Sequence, residues 1–307
     1  MSEPLISVVM PVHNGMPFLP ESIESILNQT LSDFEFVILN NGSTDGSQKV
    51  LDQWASKDKR ICLHSSKQRG GLVGSSNFVV AKARALLVAR MDADDVCESE
   101  RLRRQWEVMR DNPDLTAVGT LCDGINAAGQ RIRTRDRWRI VRRSASPPFP
   151  HGSVMFRRQV FESVGGYRKD YEKYEDQDLF RRMAEQGPVV TLPEVLYHYR
   201  YHQHNTSQMA HDGGSETVQN GVGRLSTLYS LGAMRLWSGE APNILRDVLE
   251  DKSAKWSLRR LGVTSWAAWA SLHPRSLKSL SREIVRTRDL LASTRVRDGR
   301  FYEWRFK

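Results

Sequence analysis

The sequence feature that most constrains the fold is an apolar run that leads directly into three carboxylates. Residues 86–91 are apolar apart from Arg90, and Asp92, Asp94 and Asp95 follow them. An apolar run bounded by charge is typical of a strand that is covered on both faces in a parallel sheet. Sheets of this kind bind their ligands at the carboxyl ends of the strands. We therefore expect the three acids to lie at a ligand-binding edge.

These acids have two interpretations. Asp92 and Asp94 are two residues apart, so at the end of a strand both can face one hard cation, Mg²⁺ or Mn²⁺. The other positions of the cation are then left for water and for the oxygens of a diphosphate. The alternative is the acidic start of a helix, with Asp95 or Ser99 as the N-terminal cap. The motif Asp-x-Asp is too short to decide between the two interpretations.

Strands and helices alternate from residue 5 to residue 91. Apolar residues at helical spacing begin at Pro20, recur around Leu51 and cover residues 75–85. Such spacing is the signature of amphipathic helices. The β-rich runs between them lie at 5–10, 34–39, 60–64 and 86–91. This alternation predicts a parallel sheet in which the loops at 11–15 and 40–47 join the acids at one edge. The spacings of a dinucleotide-binding motif and of a P-loop do not occur, which argues against a dehydrogenase and an NTPase.

Composition sets limits on the size and compartment of the protein. With 307 residues, of which 39% are hydrophobic, the chain is long enough for one sizeable core and an appendage. Its start does not resemble a signal peptide and no apolar run reaches membrane-spanning length, so we expect a cytoplasmic protein. The three cysteines, Cys62, Cys97 and Cys122, lack metal-ligand spacing, and no disulfide framework is expected.

The net charge of +9 comes from the C-terminal part of the chain. Residues 221–307 hold 17 Lys and Arg against 8 Asp and Glu, whereas the two signs are balanced in residues 1–220. Apolar residues at helical spacing, interleaved with basic ones, run from 253 to 291. This pattern suits helices at an anionic membrane surface. It suits equally a helical hairpin that packs on the rest of the chain or on a second subunit.

Four stretches of the sequence carry a resemblance to a known family. They are VVMPVHNG at 8–15, NGSTDGS at 41–47, GGL at 70–72 and ARMDADD at 89–95. Together they resemble the family 2 glycosyltransferases, an inverting class that moves a sugar from a nucleotide diphosphate donor, and the resemblance extends over residues 5–208. It implies an α/β fold of the GT-A type for nucleotide-diphospho-sugar transferases, with a mostly parallel central sheet flanked by helices and a C-terminal helical extension.

For the donor and its metal, the resemblance points to residues on the two loops and among the acids. The residues it places around the nucleotide sugar are Pro11, Val12, Asn14, Asn40, Asn41, Gly71 and Asp92, and the metal ligands are Asp94, Asp92 and His202. Asn40 and Asn41 depart from the family, which has two aspartates there, the first accepting an N–H of the base. Asparagine still accepts through its oxygen, so uracil remains readable, but through a neutral hydrogen bond. The alternative is that both asparagines are ordinary turn residues.

An alternating arginine pattern marks the second half of the chain. Arginines occupy every second position from 131 to 139, which in a strand gives one wholly basic face. One interpretation is a solvated edge strand that uses charge to avoid aggregation. The other is a clamp for a phosphate-bearing or acidic acceptor, with Arg137 and Trp138 in contact with it.

Two further predictions rest on the resemblance alone. The stretch 151–157 is expected to form a strand beneath the acceptor pocket, with His151 at or behind that pocket. His202 matches the histidine of a Tyr-Arg-x-His motif and is therefore expected at the metal or the diphosphate. For His202 and its neighbour His204, a solvated or structural role is equally consistent with the sequence.

The stretch 174–183 resembles a helix of the family that begins with a Glu-Asp pair. In the family, the Asp of this pair is the catalytic base. The match assigns that role to Asp176 and places Glu175 at or behind the acceptor site. A carboxylate suits the role because the acceptor hydroxyl loses its proton as it attacks the anomeric carbon. A base within hydrogen-bond reach accelerates such a step by about 10²–10⁴-fold. The alternative is an acidic helix start, which fits Glu175 or Asp178 more readily than Asp176.

The resemblance also implies a division of the chain and a function. Residues 1–210 are expected to form the catalytic domain, with a nucleotide-sugar-binding half at 1–100 and an acceptor half at 101–210, and residues 211–307 a basic amphipathic helical tail. The expected function is metal-dependent transfer from a UDP-sugar to a polysaccharide or lipid-linked acceptor, at the inner face of the cytoplasmic membrane. The alternatives are an inactive binding module of the same fold and, ranked lower, a nucleic-acid-binding protein acting through its tail.

Overall fold

The computed structural model describes residues 3–132, 149–171, 175–203 and 205, together with the backbone of residues 293–297 and 301–305. Its front half alternates strands with helices. The strands are β1 (Ile6–Val12), β2 (Phe34–Asn41), β3 (Ile61–Ser66) and β4 (Leu87–Arg90), and the helices are α1 (Leu19–Leu27), α2 (Ser47–Lys57) and α3 (Leu72–Lys82). Strand β1 pairs in parallel with β2 and β4, and β2 pairs in parallel with β3. The predicted parallel sheet is therefore confirmed.

The second half extends this sheet on the side of β4. Its strands are β5 (Val96–Cys97), β6 (Ala117–Ile125), β7 (Arg131–Ile132), β8 (Met155–Arg157) and β9 (Val189–Arg200), and its helices are α4 (Arg101–Asp111), α5 (Arg158–Ser163) and α6 (Glu175–Gln186). Strand β8 lies antiparallel between β4 and β6, and β6 pairs in parallel with β9. Strands β5 and β7 are short additions to β9 and β6. The switch from parallel to antiparallel pairing beside β4 separates the two halves.

The last described residues correct the prediction for the tail. Residues 211–307 were expected to be helical, yet β10 (Ser293–Arg297) and β11 (Phe301–Arg305) form an antiparallel hairpin, and β11 pairs with β9. The strand order is therefore β10-β11-β9-β6-β8-β4-β1-β2-β3. These ten residues are rich in β-branched and aromatic side chains, which favour strands. The helices predicted within residues 253–291 lie outside the described residues.

Two strands were predicted in the acceptor half, one at 151–157 and one in the arginine-rich stretch from residue 131. The stretch 151–157 is a strand only in its last three residues, because His151–Ser153 form a 3-10 turn. In that turn both the amide and the hydroxyl of Ser153 donate to the carbonyl oxygen of Pro150, which curls the chain before β8 begins. The arginine-rich strand begins as β7, which pairs with β6. Its remaining residues, including Arg137 and Trp138, lie outside the described residues.

The sheet separates two apolar clusters, one on each face. On one face, Val8 and Met10 pack with residues of α1, α2 and α4. On the other, Val9 packs with residues of α3, α5 and α6. This division follows from the alternation of side chains along a strand, and it explains why β1 is apolar apart from Ser7. Within the described residues, the three cysteines are free, as expected, and no helix is long and apolar enough to cross a membrane.

Candidate active site

The loops that follow β1 and β2 are joined by hydrogen bonds at the carboxyl edge of the sheet. Asn14 adopts a left-handed backbone with φ of 53°. Its amide donates to Ser43 Oγ at 3.0 Å, and its Oδ1 accepts from the amide of Thr44 at 2.8 Å. The amide of Met16 donates to Asp45 Oδ2 at 2.8 Å. The two loops therefore form one polar rim beside the acids after β4, as the alternation of strands and helices predicts.

Asn40 and Asn41 are buried and use their amides to hold neighbouring segments. Asn41 Nδ2 donates to the carbonyl oxygen of Gly70 at 2.7 Å, and its Oδ1 accepts from the amide of Gly70 at 2.7 Å. Asn40 Nδ2 donates to Gln48 Oε1 at 2.6 Å, and its Oδ1 accepts from the amide of Ser43 at 3.1 Å. The Asn41 clamp needs one donor and one acceptor, and a carboxylate supplies only the acceptor.

The other residues predicted at the donor lie at the same edge. Pro11 and Val12 are the last residues of β1, and Val12 is in register with Asn40 of β2. The side chain of Val12 is fully buried in the core, so only its backbone is able to border a ligand. Gly71 is exposed and precedes the first residue of α3. Their roles in binding a donor stay predictions.

Two of the three predicted metal ligands are in direct contact. His202 Nε2 and Asp94 Oδ2 are 2.9 Å apart, although the residues are separated by 108 positions in the chain. The third predicted ligand, Asp92, pairs with an arginine: its Oδ1 accepts a hydrogen bond from Arg90 Nη2 at 2.8 Å. Among the described residues, no group of three or more His, Cys, Asp or Glu side chains is placed to hold a metal ion. A Mg²⁺ or Mn²⁺ that also binds phosphates needs only one or two protein ligands, so the Asp94–His202 pair fits such an ion.

Asp95 has a different role from the acids that precede it. It is 1% exposed, and it accepts from Tyr197 Oη at 2.7 Å and from the amide of Arg200 at 2.8 Å. Its burial and the nearby charges of Asp94 and Asp92 raise its pKa well above the ordinary value. Asp95 thus ties the acidic loop to β9. It is not a helix cap, since α4 begins only at Arg101 and no side chain caps it.

Asp176, the predicted base, lies at the start of α6, close enough to Asp92 and Arg90 for their charges to affect its pKa. Burial raises the pKa of Asp176, the negative charge of Asp92 raises it further, and the amide of Gln177 and the positive charge of Arg90 oppose the rise. A general base is most effective when its pKa approaches the working pH, so an upward shift suits this role. Glu175 is buried beside it.

Asp178, one helical turn away from the start of α6, serves the structure. Its carboxylate forms ion pairs with Arg168 and Arg182. Arg182 also donates to the carbonyl oxygen of Gly166 at 2.7 Å, so the three side chains fasten the turn at 164–168 to α6. These ion pairs explain why an acid stands at position 178, and no bound ligand is needed to explain it. Its role is therefore structural, unlike the catalytic role predicted for Asp176.

The structure adds two residues that the sequence predictions omit, Arg90 and Tyr167. Arg90 is 4% exposed and pairs with Asp92, and Tyr167 Oη lies 2.6 Å from His151 Nε2. Burial and the charge of Arg90 hold the pKa of His151 well below its ordinary value, so its imidazole is neutral. An arginine inside an apolar strand was a usable signal, because a charge is buried only with a partner. Tyr167 gave no signal, since it follows an ordinary glycine turn.

Gly152 allows the acceptor half to approach the acids. A Cβ atom at this position would overlap Tyr197 Oη and lie 2.6 Å from Asp92 Oδ2. Arg101, which is fully buried, donates to the carbonyl oxygens of Arg90 at 2.6 Å and of Gly152 at 3.0 Å. The end of β4 and the 3-10 turn are therefore held against each other around Asp92.

The sequence is similar to those of known glycosyltransferases. The model of the Glycosyl transferase family 2 matches residues 7–168. The O-antigen biosynthesis glycosyltransferase WbnJ of Escherichia coli is 34% identical over 214 residues, which are 67% of this chain and 83% of WbnJ.

Two solved structures share the fold. The structure of S. aureus TarS in complex with UDP-GlcNAc superposes with a TM-score of 0.61 at 12% identity, covering 96% of this chain and 95% of that one. The mannosyltransferase PcManGT from Pyrobaculum calidifontis, in complex with GDP-Man and Mn²⁺, superposes with a TM-score of 0.58 at 20% identity, covering 92% of this chain and 86% of that one.

Proposed function

We propose a specific reaction for this chain, which belongs to glycosyl transferase family 2 and is a glycosyltransferase with a GT-A type fold. It transfers a sugar from a nucleotide diphosphate to a hydroxyl group of a saccharide, with inversion and with a divalent metal. The observation that carries this proposal is the contact of His202 with Asp94, which brings two potential metal ligands, a carboxylate and an imidazole, together at the carboxyl edge of the sheet.

The donor we propose is a UDP-sugar. TarS was solved with UDP-GlcNAc and PcManGT with GDP-Man, so both bases occur among proteins of similar fold. Uracil presents one N–H between two carbonyl oxygens, and an asparagine amide offers both an acceptor and a donor to such an edge. Asn40 already gives one hydrogen bond and receives one within the protein, and its amide has one further hydrogen and one further lone pair.

Asp176 is proposed as the general base. The acceptor hydroxyl transfers its proton to the Asp176 carboxylate while its oxygen attacks the anomeric carbon, and the bond from that carbon to the diphosphate breaks. A single displacement of this kind inverts the anomeric centre. Asp94 and His202 would hold the metal, which supplies charge neutralisation of the departing diphosphate. Arg90 holds Asp92 by its Oδ1, which fixes that carboxylate between the two proposed ligand-binding halves.

The acceptor we propose is a polysaccharide or lipid-linked saccharide at the cytoplasmic membrane face. WbnJ is named for O-antigen biosynthesis, and the basic residues of 253–291 are suited to an anionic surface. Residues 253–291 lie outside the described part of the chain, so the sequence alone supports this membrane contact. The division at residue 210 into a catalytic domain and a tail likewise stays a prediction.

The test is donor turnover. Release of nucleotide diphosphate is measured with a panel of UDP- and GDP-sugars, in Mn²⁺, Mg²⁺ or chelator, for the wild type and for Asp94→Ala and Asp176→Asn. We expect metal-dependent release that is lost in Asp94→Ala and falls by about 10²-fold or more in Asp176→Asn. Asp111→Asn, on the exposed end of α4, is the matched control. Full turnover in chelator would exclude the metal, and an unimpaired Asp176→Asn would exclude the base.

A binding module without turnover is the second candidate, and the internal use of Asn40 and Asn41 favours it. Both amides are committed to holding loops, at positions where the family has carboxylates. A module of this kind would bind UDP in calorimetry yet release no diphosphate with any donor and acceptor. Turnover with even one nucleotide sugar would exclude it.

A further inference from the structure

A buried arginine anchors the backbone on both sides of the Asp94–His202 contact. Arg200, the last residue of β9, is 1% exposed. Its Nε donates to the carbonyl oxygen of Asp94 at 2.8 Å, and its amide donates to Asp95 Oδ1 at 2.8 Å. Its Nη2 forms an ion pair with Glu21 at 2.6 Å. The acidic loop and the end of β9 are thus fixed relative to each other by Arg200 together with Asp95.

The segment that carries His202 is closed by a buried asparagine. Asn205 is 3% exposed, and its Oδ1 accepts from the amide of His202 at 2.6 Å. Its Nδ2 donates to the carbonyl oxygen of Arg200 at 2.9 Å. The amide group therefore spans the turn from the anchored end of β9 to the backbone of the histidine, and it uses a donor at one end and an acceptor at the other.

The imidazole of His202 is also supported from α1. The ring of Phe18, the residue before that helix, lies 4.7 Å from the ring of His202. The same ring lies 4.9 Å below the guanidinium carbon of Arg200. Phe18 therefore limits where the imidazole can turn. The backbone of His202 is placed by Asn205.

We propose that Asn205 is a positioning residue that sets the imidazole of His202 against Asp94 and thereby builds the metal site. The inference rests on the proposed function, in which these two side chains hold the metal. Position 202 follows the end of β9, so the strand no longer dictates where its side chain points. The Asn205 amide replaces that constraint. Loss of a hydrogen-bond partner that orients metal ligands typically lowers metal affinity by about 10–100-fold.

The decisive variant is Asn205→Asp. Aspartate has the same shape and keeps the acceptor for the amide of His202, but it sets a second oxygen against the carbonyl oxygen of Arg200. Asn77→Asp is the matched control, because Asn77 clamps a backbone in the same way, with its Nδ2 on the carbonyl oxygen of Tyr167 at 2.8 Å and its Oδ1 on the amide of Tyr167 at 2.9 Å. That clamp joins α3 to the backbone of Tyr167, and its two hydrogen bonds involve neither Asp94 nor His202.

The measurement is the affinity for Mn²⁺ in the presence of saturating UDP, by isothermal titration calorimetry of the full chain, with the metal-free Tm recorded for each variant. We expect a 10–100-fold weaker Kd for Asn205→Asp, as follows from the cost of losing an orienting partner. Asn77→Asp is expected to lower the metal-free Tm to a similar extent without changing the Kd. If Asn205→Asp does not fold, Asn205→Ser is measured in its place.

The outcomes separate this inference from the function on which it rests. If the wild type binds no Mn²⁺, the proposed metal site fails and the positioning role fails with it. If the wild type binds Mn²⁺ and Asp94→Ala does not, the site stands. An unchanged Kd in the folded Asn205 variant would then overturn the positioning role alone, as would an equal loss of affinity in Asn77→Asp.

Discussion

Asn41 holds the backbone of Gly70 with both ends of its amide, at 2.7 Å in each direction. This clamp joins the end of β2 to the loop before α3, and so to Gly71 in the predicted donor site. Gly42, the next residue, lies under the same loop, because a Cβ atom there would come within 2.7 Å of the amide of Arg69. The loop that covers the donor edge is therefore fastened through β2.

Replacing Asn41 with aspartate is expected to release this loop. The carboxylate keeps the bond from the Gly70 amide but faces the Gly70 carbonyl oxygen without a donor, and a buried polar atom left unsatisfied costs about 1–3 kcal/mol. Urea unfolding should show a loss of that size, and donor affinity should fall with it. Asn126→Asp is the control, since aspartate retains the bonds that Asn126 Oδ1 accepts from the amides of Ala128 and Gln130, and loses only an exposed bond from Nδ2 to Gln130 Oε1. Equal stability of Asn41→Asp and wild type would contradict the clamp.

A methyl group at position 152 is expected to damage the site. Alanine there would overlap Tyr197 Oη and press on Asp92, so Asp92 or the 3-10 turn must move. A displacement of about 1 Å at such a site costs about 10²-fold in rate. The measurement is kcat for Gly152→Ala. Gly74→Ala in α3 is the control, because no atom lies within 4 Å of a Cβ there, and alanine should stabilise that helix by about 0.5–1 kcal/mol. Wild-type kcat in Gly152→Ala would exclude the close approach.

Glu35, at the opposite edge of the sheet, is expected to make stability depend on acid pH. Burial alone would raise its pKa, but hydrogen bonds from Ser7 and from the amide and side chain of Arg84 hold the pKa below the ordinary 4.5. The carboxylate therefore stabilises the fold above pH 4.5, and this contribution is lost as the pH falls through the lower pKa of the folded state. Urea unfolding of Glu35→Gln should show a deficit of about 1–3 kcal/mol at pH 7.

The same comparison at lower pH checks the sign. The deficit of Glu35→Gln should shrink below pH 4.5, because the wild type then loses its carboxylate too. Glu162→Gln, in an exposed pair with Arg158, is the control and should show only a small deficit at pH 7. If the free energy of unfolding of Glu35→Gln stays below that of the wild type by the same amount well below pH 4.5, Glu35 stabilises the fold through its shape and not through its charge.

The front half of the fold was predictable because its signals are local. Strands β1, β2 and β4 are buried almost throughout, so most of their residues are apolar, and the helices between them show their own spacing. The pairing of β11 with β9 joins residues that are more than a hundred positions apart. No local pattern indicates such a pairing, and the tail was accordingly predicted as a helical segment, with its helices at 253–291.

The candidate site was predictable as a set of residues but not as a set of contacts. The family motifs pointed to Asp94 and His202, which the structure brings together. The motifs also pointed to Asp92 as a metal ligand. They did not indicate that Oδ1 of Asp92 accepts a hydrogen bond from Arg90. Which partner a carboxylate chooses depends on side chains from other elements, and the sequence around it does not contain that information. The role of Asp176 stays a prediction.

Arg90 supplies the last prediction, a shift in the pH dependence of catalysis. Its positive charge opposes the burial that raises the pKa of Asp176. Removing that charge in Arg90→Gln should raise the pKa of Asp176 further, and a protonated carboxyl cannot accept the acceptor's proton. The acidic limb of the kcat profile should therefore move to higher pH. The measurement is kcat against pH for the wild type and for Arg90→Gln, with Arg104→Gln, an exposed arginine of α4, as the control.

The folding of this variant must be controlled, because breaking a buried ion pair costs about 3–5 kcal/mol. The double variant Arg90→Gln with Asp92→Asn removes both charges of the pair and should recover much of the stability. It also removes the negative charge of Asp92, which raises the pKa of Asp176, so its acidic limb should lie at lower pH than that of Arg90→Gln. A limb that stays in place in both variants would show that Asp176 is not the group whose ionisation limits the rate.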